Sequence, residues 1–217
     1  MYKTVVFDLD GTLLNTLTDL ADAGNRLCRK YGWATHERQG YRYFVGNGIP
    51  KLVERLAPAD QRTPAVLEAA LADFKRDYGQ HLRDTTAPYP GIPEMLAKLK
   101  ANGVQLAVFS NKADALPKEV VKDYFGTQYF TIVRGQMTGV APKPAAEGTN
   151  ALLQALHADP ASTLYVGDSN VDVETAHNAN LPCCGAVWGF RTREELNAAG
   201  AEYLAENSDE LYDVIMK

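Results

Sequence analysis

Short apolar runs alternate with amphipathic stretches along most of the chain. Runs of strand length occupy residues 4–7, 105–109, 129–133, 163–166 and 185–187. They are mostly continuous in apolar character, as expected of strands covered on both faces. Between them, Ile92, Met95, Leu96 and Leu99 have helical spacing, as do Val120, Val121, Tyr124 and Phe125, and then Leu152, Leu153 and Leu156. Buried strands separated by one-sided helices predict an α/β fold: a doubly wound, mostly parallel, Rossmann-like sheet. One stretch breaks the rhythm. From Asn15 to about Ala87 there is no strand pattern, only three helical stripes. The first runs Leu17, Leu20, Ala21, Gly24, Leu27, Cys28, Tyr31; the second Ile49, Leu52, Val53, Leu56; the third Leu67, Ala70, Leu71, Phe74, Tyr78. An all-helical block after the first strand predicts an α-helical cap inserted at residues 15–87. Residues 1–14 and 88–217 then form the α/β core, and Pro88-Tyr89-Pro90-Gly91 is the stiff return junction.

Composition narrows the partners. The 217 residues carry 22 basic and 27 acidic side chains, a net charge of −5, with no Lys/Arg block. That balance argues against nucleic acid or an anionic membrane as partner. No apolar run approaches the roughly 20 residues of a membrane helix, and Met1-Tyr2-Lys3 leads straight into a strand, leaving no room for a signal peptide. The expected location is the cytoplasm. Cys28, Cys183 and Cys184 suit neither a disulfide framework nor a zinc site and are expected to pack in the core. His36, His81, His157 and His177 have no metal-like spacing and read as surface or packing residues.

The chemistry gathers at strand ends. Asp8-Leu9-Asp10-Gly11-Thr12 follows the first strand, and two-residue alternation aims both carboxylates at the carboxyl edge of the sheet, where open α/β sheets bind ligands. Carboxylates that close repel, so a cation, a shared proton or solvent must compensate. Gly11 permits a sharp turn and a close backbone approach. Ser110-Asn111-Lys112 follows the strand at 105–109. Lys143-Pro144 opens the helix of Leu152, where a cation and a helix N-terminus both favour an anion. Gly167-Asp168-Ser169, with Asp172 four residues beyond Asp168, follows the strand at 163–166. Singly, each has a bland reading as a cap, a solvated turn or a surface lysine. That four such segments should fall by chance at the strand ends or helix starts of one domain is improbable, and together they point to a functional site.

In order, D-x-D-G-T, S-N, K-P and G-D-S-x-x-x-D resemble the four signature motifs of the haloacid dehalogenase-like hydrolase superfamily, and the helical insertion resembles its cap. The resemblance implies an aspartyl-phosphate mechanism: Asp8 the nucleophile, Asp10 the general acid and then base. It implies that Ser110, Asn111 and Lys143 hold the phosphoryl oxygens beside Gly11 and Thr12. It also implies Mg²⁺ on Asp8, the Asp10 main-chain carbonyl and Asp168, with Asp172 in or behind the metal shell. A carboxylate at position 10 looks like a phosphatase, because the dehalogenases lack one there. The V-G-N-G stretch at Val45–48 and the tail from Trp188 to Ala201 are similar to the phosphoglycolate phosphatase subgroup. Two departures are Asn15, where relatives usually carry an acid, and K-P-A-A-E in place of K-P-x-P.

The cap is expected to select the substrate. Gly46, Asn47 and Gly48 precede a helix with Pro50 in its first turn, and exposed backbone N–H groups with Lys51 nearby would make a small-anion pocket. Arg191 and Arg193 are expected at the surface. The expected activity is Mg²⁺-dependent hydrolysis of a small phosphate ester, with 2-phosphoglycolate the best substrate. A sugar phosphomutase of the β-phosphoglucomutase type, a pyrophosphatase and a catalytically silent binding module are the alternatives. The sequence leaves the oligomeric state open.

Overall fold

A computed structural model describes residues 1–217, which form two compact units: Met1–Leu14 with Pro88–Lys217, and Asn15–Ala87. In the first unit a six-stranded sheet has the order β5-β4-β1-β6-β7-β8, every pairing parallel. Its strands are β1 (Thr4–Phe7), β4 (Gln105–Ala113), β5 (Phe130–Gln136), β6 (Thr163–Gly167), β7 (Cys183–Ala186) and β8 (Tyr203–Ala205). Helices α5 (Ile92–Ala101), α6 (Ala115–Phe125), α7 (Ala146–Leu156), α8 (Asn170–Asn178) and α9 (Arg193–Ala198) lie between them in the chain, and α10 (Ser208–Met216) follows the last strand. Two-residue strands β2 (Leu14–Asn15) and β3 (Ala87–Pro88) pair where the chain passes from one unit to the other. They are too short to leave a period in the sequence.

Burial follows the strand pattern. Val5, Val6 and Phe7 have no exposed surface, as parallel strands covered on both faces require. Val6 belongs to a cluster with Ala107, Phe109, Tyr165, Leu152 of α7 and Val173 of α8. Phe7 alternates to the other face and meets Phe130 edge-on, which in turn meets Phe125 of α6. Cys183 and Cys184 are buried free thiols in β7, and burial keeps both protonated, Cys184 with a pKa pushed up to about 12. They pack.

The strand order also fixes where chemistry can occur. The chain leaves β1 with β4 on one side and β6 on the other, so the sheet reverses its direction of growth at β1. At such a switch point the loops after neighbouring strands diverge and leave a crevice at the carboxyl edge. β4 is longer than its apolar run, continuing four residues past Phe109 to Ala113, which pairs with Gln136. α7 begins at Ala146, so Lys143 lies ahead of the helix rather than in its first turn.

The second unit is helical: α1 (Leu17–Tyr31), α2 (Tyr41–Phe44), α3 (Ile49–Leu56) and α4 (Pro64–Gln80). Leu20, Leu27, Leu52, Val53, Phe74 and Tyr78 of the three stripes are buried. Asp19, in the first turn of α1, is buried too, and each of its carboxylate oxygens accepts two hydrogen bonds. Oδ1 takes the N–H and hydroxyl of Thr85, at 2.9 and 2.5 Å, and Oδ2 those of Thr86, at 2.9 and 2.7 Å. The helix that opens the unit is thereby tied to the segment that closes it. No helix is long and apolar enough to cross a membrane.

Candidate active site

Asp8 follows β1, and its N–H donates to Val166 O at 2.8 Å, which holds it level with the end of β6. Its Oδ1 lies 2.8 Å from Lys143 Nζ, and the same ammonium lies 2.7 Å from Asp172 Oδ1. Tyr165 OH and Phe109 O complete its surroundings at 3.3 and 3.4 Å. Burial alone would lower the Lys143 pKa, but Asp172 and Asp8 outweigh it and hold the ammonium well above its ordinary value.

Asp168 is held from three directions. Thr12 Oγ1 donates to its Oδ1 at 3.1 Å, Phe190 N–H to its Oδ2 at 2.8 Å, and Arg191 N–H to its main-chain O at 3.3 Å. Trp188 Nε1 donates to Thr12 O at 3.0 Å, so the loop after β7 braces both the first motif and the fourth. Gly11 makes the approach possible: its φ is +93°, and a Cβ there would stand 2.2 Å from Asp168 Oδ2. Asp172 serves twice. Its Oδ2 accepts from the N–H and hydroxyl of Ser169, completing a capping box on α8, while its Oδ1 faces Lys143. Capping and site chemistry are not alternatives here.

The second motif divides its work. Ser110 is buried, and its Oγ accepts the Lys112 N–H at 3.2 Å, leaving the hydroxyl proton to donate. The Asn111 carboxamide pairs with the Lys143 backbone, Oδ1 accepting from N–H at 2.9 Å and Nδ2 donating to O at 3.2 Å. Asn111 thus fixes the segment that carries Lys143. Likewise the Thr12 hydroxyl is engaged by Asp168. Lys112 Nζ lies 3.0 Å from Asp10 Oδ1, and its side chain is 3% exposed.

One oxygen each of Asp8, Asp168 and Asp172 lies within 4.8 Å of the others, all three residues buried. The Asp10 carboxylate is not among them, so any share it takes in a cation falls to its main chain. The carboxylates of Asp8, Asp10, Asp168 and Asp172 stand with the ammonium groups of Lys112 and Lys143, and these six groups together carry a formal excess of two negative charges. Burial pushes the Asp8 carboxyl up to about 7, opposed by Lys143 and reinforced by Asp172. Burial, with repulsion from Asp172 and Asp8, also raises Asp168 well above the usual carboxylate range. A buried cluster of hard oxygen donors with two charges in excess fits a divalent cation such as Mg²⁺.

A profile of the family described as haloacid dehalogenase-like hydrolase matches residues 5–186. The chain belongs to this family. Its carboxylate cluster, together with the phosphatases it resembles, makes it a phosphoric monoester hydrolase acting on a small phosphorylated metabolite. A phosphoglycolate phosphatase of Mesorhizobium japonicum is 32% identical over 191 residues, covering 87% of this chain and 84% of the relative. One from Aquifex aeolicus is 30% identical over 188 residues, covering 87% and 86%. A solved structure from Lactobacillus delbrueckii subsp. bulgaricus has a TM-score of 0.93 at 28% identity, covering 99% of this chain and 98% of that one. CbbY of Rhodobacter sphaeroides, solved in complex with phosphate, shares the fold at a TM-score of 0.80 and 23% identity, covering 97% and 96%.

The helical cap shows a different arrangement of charge from the one its sequence suggests. Gly46 and Gly48 have φ of +114° and +83°, and α3 starts at Ile49, so Pro50 is its second residue. Lys51 is exposed and its ammonium pairs with Glu54 at 2.8 Å. The cation that reaches the loop is Arg55, donating to Phe44 O and to Asn47 Oδ1, each at 2.8 Å. Arg193 is at the surface, paired with Glu206, whereas Arg191 is buried. His81 and His177 pair with Asp84 and Glu202, and His36 packs on Tyr41 and Phe44.

Proposed function

We propose that this hydrolase cleaves 2-phosphoglycolate through an aspartyl-phosphate on Asp8, in the cytoplasm. The observation that carries the mechanism is the different setting of two carboxylates with a single residue between them. Asp8 is buried against Lys143 within the cation-binding cluster; Asp10 stands outside that cluster on Lys112. Environments that separate two neighbouring acids this way suit one to nucleophilic attack and the other to proton transfer.

In the first half, an Asp8 carboxylate oxygen attacks phosphorus and the ester P–O bond breaks. Its electron pair leaves on the glycolate oxygen, which takes the Asp10 proton. In the second half, Asp10 removes a proton from water as the water oxygen attacks phosphorus. The acyl-phosphate P–O bond breaks and Asp8 is restored. Lys143 and the Ser110 hydroxyl supply donors to the equatorial oxygens, where charge spreads in the transition state. Asn111 keeps Lys143 in place. Asp8, Asp168 and Asp172, with the Asp10 main-chain carbonyl, would hold Mg²⁺, which when bound supplies positive charge for the phosphoryl oxygens and the nucleophile.

The relatives named phosphoglycolate phosphatase, at 30–32% identity over 87% of this chain, support the substrate. The loop at Gly46–48 would recognise the second anionic group that 2-phosphoglycolate carries. A phosphate-release panel with Mg²⁺ tests this reading, using 2-phosphoglycolate, β-glucose 1-phosphate, pyrophosphate and nitrophenyl phosphate. The highest kcat/KM is expected for 2-phosphoglycolate. A tenfold preference for a sugar phosphate or pyrophosphate would overturn the substrate and leave the phosphatase chemistry standing.

A further inference from the structure

Two lysines are buried in the α/β unit, Lys143 and Lys112, and only the first has a part in the reaction written above. Removing an ammonium from water is expensive unless a carboxylate answers it closely. For Lys112 that carboxylate is Asp10, 102 positions away in sequence and 3.0 Å away in space. The local structure is built to bring the two together. β4 runs on past its apolar core, and alternation puts Ser110 and Lys112 on the same side of it. The bond from Lys112 N–H to Ser110 Oγ ties these two positions of the strand together. On the neighbouring strand Gly135 leaves room for this end of β4: a Cβ there would stand 2.4 Å from Lys112 O and 2.6 Å from Asp114 Cα. Asp114 Oδ1 accepts the Gly135 N–H at 2.9 Å, and Asp114 N–H donates to Gln136 O at 3.1 Å. The strand end that carries Lys112 is therefore fixed by its own Ser110 and by the neighbouring strand β5.

We propose that Lys112 is a positioning residue for the proton-carrying carboxyl of Asp10. It binds Oδ1 and so presents Oδ2 first to the leaving oxygen and then to the attacking water. The inference rests on the reading of Asp10 as acid and base, and it adds a residue that acts on the reaction through that carboxyl. A proton donor is effective only within hydrogen-bond reach of its acceptor. An Asp10 side chain free to rotate would lose the proton-dependent part of catalysis and little else.

The test compares Lys112→Met with Asp10→Asn and with the double variant in the Mg²⁺-loaded enzyme. kcat/KM reports the first half of the reaction, where 2-phosphoglycolate needs a protonated leaving group and nitrophenyl phosphate does not. Lys112→Met should lower kcat/KM for 2-phosphoglycolate about 10- to 100-fold, part of the roughly 10²–10⁴-fold that a positioned acid contributes. The loss for nitrophenyl phosphate should stay under about threefold by the same logic. In the Asp10→Asn background, Lys112→Met should add nothing, because its only route to the chemistry is gone. Lys112→Arg keeps a donor for Oδ1 and should recover part of the loss, which also keeps the test available should the Met variant fold poorly. Equal losses on both substrates, or an undiminished loss in the double variant, would overturn the role of Lys112 and leave Asp10 standing. If Asp10→Asn itself fails to distinguish the two substrates, the reading of Asp10 fails, and that of Lys112 with it.

Discussion

Asp8 and Asp168 have their carboxyl pKa values raised, chiefly because burial disfavours the charged form, Asp8 to about 7. A raised acid pKa means the folded metal-free protein holds these protons more tightly than the unfolded chain. The stability that Asp8 contributes in this way is present below the ordinary carboxylate pKa and is lost as the pH rises through about 7, and Asp168 acts in the same direction. Mg²⁺ needs the same groups ionised, so protons compete with it. Titration calorimetry should show Mg²⁺ affinity climbing from about pH 5.5 to 7.5 with proton release, and the Mg²⁺-induced rise in Tm should grow over that window. Affinity independent of pH would contradict the cluster as the cation site. A second residue-scale expectation concerns Gly11. Gly11→Ala meets both an unfavourable φ and the Asp168 carboxylate, and should weaken Mg²⁺ and destabilise the fold by about 2–4 kcal/mol, read by urea unfolding.

At this scale the sequence reveals residue types more readily than partners. Asp8, Asp168 and Asp172 come together in space, and strand-end placement was enough to single them out. The engagements of Asn111 with the Lys143 backbone and of Thr12 with Asp168 are long-range pairings that no spacing encodes. The bracing by Trp188 and Phe190 is less legible still, because Phe190 acts through its backbone N–H, which every residue but proline possesses.

At the scale of elements, hydrophobic period located the buried strands and the three cap helices, but polar ends escaped it. The extension of β4 to Ala113 is polar where it carries Lys112, so the apolar run ended four residues early. The sequence could have offered one signal, the i, i+2 relation of Ser110 and Lys112. β8 is a three-residue edge strand without a distinctive pattern. In the cap, proximity in sequence favoured Lys51 as the cation of the Gly46–48 loop, whereas a turn and a half of helix brings Arg55 back to it. On the proposal that this loop takes the second anion, Arg55→Ala should lower kcat/KM for 2-phosphoglycolate by roughly 1–3 kcal/mol in transition-state terms, with little change for nitrophenyl phosphate. Lys51→Ala, which removes a surface pair with Glu54, should leave both near wild type. Asp19 offers a stability test in the same unit. Asp19→Ala leaves four donors of Thr85 and Thr86 without their acceptor and should cost about 2–4 kcal/mol in urea unfolding.

For the whole molecule, the parallel order β5-β4-β1-β6-β7-β8 explains why motifs far apart in the chain share one crevice. β1, β4 and β6 are adjacent, and each ends in one of the motif segments. Chain order and strand length made that architecture legible, since parallel strands need helical crossovers and the sequence supplies them. Substrate choice was far less legible, because in the proposed reading it rests on loop geometry in the cap rather than on the repeating patterns that define the core. The central claim is that Asp8 carries the phosphoryl group, and the Asp10→Asn enzyme tests it directly. With Mg²⁺ and nitrophenyl phosphate, the leaving group departs without a proton, while the water that should release the phosphoryl group has lost its base. Acid quenching followed by peptide mass spectrometry should find the phosphoryl group on Asp8. Nitrophenol release with no phosphoryl group on Asp8, or with one on a different residue, would contradict the account.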